Sequence, residues 1–108
     1  MQPIKEITVQ ELKALQTQNA DFVLIDVREP HEYQAANIGA TLIPLGTILN
    51  HVDKFNTGKQ VVVHCRSGAR SAQAIMALQN TFQLDNLYNL RGGIMAYAAE
   101  IDPSLKVM

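Results

Sequence analysis

The chain holds one cysteine, Cys65, followed by Arg66, Ser67, Gly68, Ala69 and Arg70. A thiol is nucleophilic as its thiolate, so the groups around it decide what it does. Cys65 closes the apolar run QVVVH, and from Arg70 the stretch RSAQAIMALQN is rich in good helix formers. Strand, tight loop and helix therefore follow one another. Gly68 is free to take a positive φ, and the loop can turn successive main-chain N–H groups inward, which makes an anion cradle. The helix start adds unpaired amides and the positive end of its dipole. Arg66 and Arg70 add charge of the same sign. Together these features predict a depressed thiol pKa at Cys65 and nucleophilic catalysis.

The rest of the chain must position that loop. Thr8-x-x-Glu11 is a capping box that predicts a helix over 9–18. The short run Phe22 to Ile25 reads as a strand buried on both faces, ending at Asp26. A polar loop with Arg28 and Glu29 follows, and Pro30 suits the first position of a short helix that stops near Gly39. Thr41 to Ile43 reads as a second strand. Leu45, Ile48, Leu49, Val52 and Phe55 recur at helical spacing and should pack on the sheet. Gly58 marks a turn before the QVVVH strand. Asn86 to Leu90 gives another strand, and Gly92-Gly93 breaks it before a last helix toward Glu100. Alternating strands and helices imply an α/β fold, with a mainly parallel central sheet and helices on both of its faces. In such sheets ligands bind beyond the carboxyl ends of the strands, where Asp26 and Cys65 both lie.

At 108 residues the chain fits one domain over residues 1–108. A net charge of -1 offers no long-range field for nucleic acid or anionic lipid. No apolar run reaches the length of a membrane span, and the start of the chain has no secretory pattern. A lone thiol cannot form an internal disulfide or a Cys-rich metal site, and it is best tolerated in a reducing compartment, so a cytoplasmic location is expected. The three histidines, His31, His51 and His64, are too scattered to predict a metal site.

The segment HCRSGARS closely resembles the active-site loop of rhodanese-like sulfurtransferases. DVREPHEY, Ile38-Gly39-Ala40 with Ile43-Pro44, and LRGG at Leu90 to Gly93 resemble that family's other motifs, in the same order along the chain. The resemblance implies that Cys65 attacks the outer sulfur of a donor such as thiosulfate, releasing sulfite and leaving a persulfide. It further implies that the loop amides from Arg66 through Ser67, Gly68 and Ala69 to Arg70 hold that persulfide. Arg66 and Arg70 would attract the anionic donor. Cyanide or a cellular thiol would accept the sulfur, a protein partner in a sulfur relay is another acceptor to consider, and no cofactor is needed.

Dual-specificity phosphatases and arsenate reductases resemble the same fold but carry one more residue between Cys and Arg than the four found here. A phosphoryl group needs a wider ring of amides than a terminal sulfur, so the shorter loop favours sulfur. A persulfide carrier or regulatory module loaded by a partner would use the same loop and stays open. Two departures from the family pattern, Ala36-Asn37 before Ile38 and Tyr97 after the double glycine, lie outside the loop. Asp26 and Arg28 fit a structural salt bridge better than catalysis. His31 and His51 read as surface residues, and His64 as a strand residue beneath the loop. Gly92-Gly93 reads as a turn packed near the loop, and Met76 and Met95 read as core.

Overall fold

The computed structural model describes residues 2–108. Five strands form one sheet, β1 (Lys5–Ile7), β2 (Val23–Asp26), β3 (Thr41–Leu42), β4 (Val61–His64) and β5 (Leu87–Leu90). Their spatial order is β1-β5-β4-β2-β3, and every neighbouring pair is parallel. Four helices accompany them: α1 (Val9–Thr17), α2 (Pro30–Ala35), α3 (Ala69–Phe82) and α4 (Gly93–Glu100). Parallel strands need crossovers, and the helices supply most of them while covering the sheet. The fold is α/β, as the alternation of elements implies.

Strand β4 is central and buried along its whole length. Val61 and Val63 point into one core with Ile25, Ile75, Leu78 and Phe55, whereas Val62 points into the other with Leu12, Leu90 and Tyr97. Fully burying each of these valines contributes about 1.5 kcal/mol or more. The two-residue period of a strand thus ties both layers to one short run. On the first face lie α3 and the segment Leu45–Lys54, and on the second lie α1 and α4.

Several elements differ from the sequence expectation. Strand β1 is additional: it pairs only with β5 at the sheet edge, and two of its three residues are exposed, too little for a periodic signal. The segment Leu45–Lys54 is 3-10 helix, interrupted by non-helical dihedrals at His51. With three residues per turn, Leu45 and Ile48 share the buried side, as do Val52 and Phe55 after the break. Leu49 is rotated off that side and stands 47% exposed.

Met76 and Met95 are not core residues, being 38% and 40% exposed. The buried stripe of α3 runs through Ser71, Ala74, Ile75, Leu78 and Gln79, and Met76 lies one residue beyond it. On α4 the buried positions are Gly93, Ile94 and Tyr97, which leaves Met95 facing outward.

Candidate active site

Parallel pairing sets Asp26 opposite His64, so β2 and β4 end level with each other and Cys65 is the first residue beyond the sheet. Asp26 and Arg28 are both fully buried there. The Asp26 carboxylate accepts from the Arg28 Nη2 at 2.8 Å, from its Nε at 3.0 Å and from its main-chain N–H at 3.0 Å. Arg28 Nη2 also donates to the Ala36 carbonyl at 2.8 Å, which ties the C-terminal end of α2 to the end of β2. A buried ion pair is tolerable only when its remaining donors and acceptors are satisfied, and these are. The pair is thus a structural pin beneath the site and does not face Cys65 as a proton donor or acceptor.

Cys65 is 1% exposed. After it the chain turns through exposed Arg66 and Ser67 to Gly68, whose φ of +109° caps α3 from a region closed to most side chains. This turn brings the Gly68 N–H to 3.1 Å from the Cys65 Sγ. Exposed Ala69 opens α3, and Arg70 and Ser71 lie in its first turn. Ser71 returns its hydroxyl oxygen to 3.4 Å from Sγ.

Two further residues fix the loop from behind. Asn89 on β5 donates through Nδ2 to the Gly68 carbonyl at 3.1 Å and accepts the Ser71 hydroxyl on Oδ1 at 2.5 Å. Gly93 opens α4 so close to the loop that a Cβ would sit 2.5 Å from the Arg66 carbonyl oxygen. That approach lets the N–H groups of Ile94 and Met95 donate to the carbonyls of Cys65 and Arg66, at 2.9 and 3.1 Å. With these carbonyls held from outside, the Gly68 N–H is left to meet the sulfur.

Burial alone would push the Cys65 thiol pKa up, yet the net shift is downward. Hydrogen bonds from the Ser71 side chain and from the main-chain N–H groups of Ser71, Gly68 and Ser67 outweigh the desolvation. These short-range donors, rather than arginine charge, lead the stabilisation of the thiolate. The Ser71 hydroxyl has one proton and two acceptors within reach. It lies 2.5 Å from the Asn89 Oδ1 and 3.4 Å from Sγ, so either can take its proton.

The arginines are engaged elsewhere as well. Arg66 Nε donates to the main-chain oxygen of Met108 at 2.6 Å. Arg70 meets the Glu32 carboxylate in a two-point ion pair, with Nη1 to Oε1 at 2.7 Å and Nη2 to Oε2 at 2.9 Å. The Arg70 guanidinium holds the Glu32 carboxyl down to about 2. His64 is buried, with Nδ1 on the Cys65 carbonyl at 3.2 Å and Nε2 3.6 Å from Asp26, beyond hydrogen-bond reach. Its burial lowers its pKa, which favours the neutral ring. His31 is exposed, and His51 caps its own turn through the Thr47 carbonyl.

Sequence reasoning did not single out Glu32, Ser71 or Asn89. Ser71 was within reach of it, six residues after Cys65 and in the first turn of α3, whereas nothing local marks Asn89 or the pairing of Glu32 with Arg70. Two broader hollows on the surface, one lined by Gln2, Gln79, Asn80 and Gln83 and one including Arg91, Gly92 and Glu100, do not include Cys65. At Cys65 the groups that meet Sγ are instead the Gly68 N–H and the Ser71 hydroxyl.

Comparison with known proteins places this arrangement. The family model described as a rhodanese-like domain matches residues 8–100. The chain is 38% identical over 113 residues to the chloroplastic rhodanese-like/PpiC domain-containing protein 12 of Arabidopsis thaliana, with 96% of this chain and 37% of that protein covered. It is 34% identical to a sulfurtransferase of Allochromatium vinosum, covering 88% of this chain and 89% of that one. A crystal structure of a rhodanese-like domain protein from Staphylococcus aureus superposes with a TM-score of 0.81 at 29% identity, covering 97% and 99% of the two chains. The chain spans only about half the length of a Synechococcus elongatus relative and about a quarter of an adenylyltransferase/sulfurtransferase from Mycobacterium tuberculosis. By the match over most of its length and the shared fold, this chain belongs to the rhodanese-like domain family.

Proposed function

We propose that this protein is a sulfurtransferase that moves a sulfane sulfur from a donor such as thiosulfate to cyanide or a thiol acceptor through a persulfide on Cys65. The observation that carries this reading is the Sγ of a buried cysteine facing the Gly68 N–H at 3.1 Å and the Ser71 hydroxyl at 3.4 Å. The Cys65 thiolate attacks the outer sulfur of thiosulfate, the S–S bond breaks, and the electron pair departs with sulfite. An acceptor thiolate or cyanide then attacks the outer sulfur of the persulfide and restores the thiolate. The loop amides stabilise sulfur-borne negative charge at each stage. Asp26 and Arg28 support the loop, and the chemistry asks for no metal or organic cofactor.

The similarity to portions of longer relatives named as adenylyltransferase and sulfurtransferase supports a second reading, a persulfide carrier loaded by a protein partner. Intact-protein mass after incubation with thiosulfate tests the first. The wild type is expected to gain one sulfur atom, Cys65→Ala none, and cyanide to remove the gain with thiocyanate formed. Absence of any gain on reduced, folded wild type would sink thiosulfate as donor and leave the carrier.

A further inference from the structure

Arg70 lies in the first turn of α3, directly after the loop that follows Cys65. Unpaired, it would draw dianions to the loop. Its two terminal nitrogens are instead taken by the two oxygens of Glu32, whose side chain is only 11% exposed. Glu32 is not a loosely tethered surface acid. Its Oε1 also accepts the Glu29 N–H at 3.0 Å in the capping box of α2. Arg28 holds the far end of the same helix through the Ala36 carbonyl. The carboxylate is therefore delivered to Arg70 by a pinned element, and the side of the loop it occupies carries no net charge.

We propose that Glu32 is a specificity-determining residue. By cancelling the Arg70 charge beside the loop, it tunes the site toward sulfane donors of low charge, alkyl or protein persulfides, and away from dianions such as thiosulfate. This inference rests on the reading that Cys65 takes up a sulfane sulfur. With a persulfide donor R–S–SH, the Cys65 thiolate attacks the terminal sulfur and the S–S bond breaks. The electron pair leaves on RS⁻, and Cys65–S–SH keeps the proton. A neutral donor enters and the charge first held on Cys65 leaves on RS⁻, so the site never holds more than one negative charge, whereas thiosulfate meeting the thiolate would bring three together and call for a cation.

The test compares second-order rates of Cys65 sulfur loading, read by intact mass, for wild type and Glu32→Gln with two donors. The donors are thiosulfate and 2-hydroxyethyl persulfide generated in situ. Glutamine keeps an oxygen for the α2 cap while removing the charge. The variant is expected to load from thiosulfate about five- to tenfold faster, with the gain lost at high salt, and from the persulfide within about twofold of wild type. Arg70→Gln, which leaves Glu32 unpaired, is expected to move thiosulfate loading the opposite way and supplies the test should Glu32→Gln fail to fold. Equal changes for both donors, or none for thiosulfate, would overturn the specificity role while leaving sulfur transfer intact. Loading of wild type from neither donor would overturn the underlying reading, and the inference with it.

Discussion

The sulfur of Cys65 is stabilised by groups with different dependence on side-chain identity. Gly68 and Ser67 act through main-chain N–H groups, but Ser71 acts partly through its hydroxyl. Ser71→Ala should therefore raise the thiol pKa, seen as an upward shift of the thiolate absorbance titration near 240 nm. At neutral pH the loading rate should fall about threefold to tenfold, in line with the loss of one hydrogen bond to a charged group. An unshifted titration would remove Ser71 from the account. Because the wild-type thiol is held below its ordinary value, loading should rise with pH and level off earlier than for a free cysteine. At this scale the sequence was informative where chemistry is local: Cys65, Gly68 and the helix start are contiguous. It was silent on Glu32 and Asn89, which lie 38 residues from Arg70 and 18 from Ser71 and meet them only through the fold.

Elements hold the loop through two contacts that can be broken singly. Gly93→Ala would drive a Cβ into the Arg66 carbonyl at a residue whose φ is already +60°. A loss of about 2 to 4 kcal/mol in urea unfolding is expected, together with loss of sulfur loading as the loop is displaced. Arg28→Leu would strand the Asp26 carboxylate in the interior and free the end of α2. Breaking a buried pair in this way costs about 3 to 5 kcal/mol, and a thermal melt would show it. Strands β2 and β4 were legible as compact apolar runs, and β5 as a short run of apolar residues around Asn89 that the double glycine ends. Strand β1 and the 3-10 segment were not, since one is a three-residue edge and the other repeats every three residues, a period that a helical reading with four-residue steps blurs. Met76 and Met95 are exposed because they lie beside, not on, the buried stripes of α3 and α4, a placement that residue type alone does not encode.

For the molecule as a whole, the pairing of Glu32 links stability to acid. Its carboxyl sits at about 2 when folded against 4.5 for an unperturbed glutamate, so the unfolded chain binds the proton more readily between those values. The stabilisation is complete above pH 4.5 and is lost as pH falls through about 2. Wild type should exceed Glu32→Gln by about 1 to 2 kcal/mol near neutrality, with the two unfolding curves converging toward pH 2, as urea titrations at several pH values would reveal. The radius of gyration of 12.8 Å is that of a well-packed chain of this length, so the loop stands on a compact base. Much of what meets Sγ is backbone, and Arg66, Ser67 and Ala69 turn their side chains to the outside. Those three positions are therefore open to exchange without dismantling the reaction: a lineage could change its clientele by repainting the rim while the sulfur chemistry beneath is inherited unchanged.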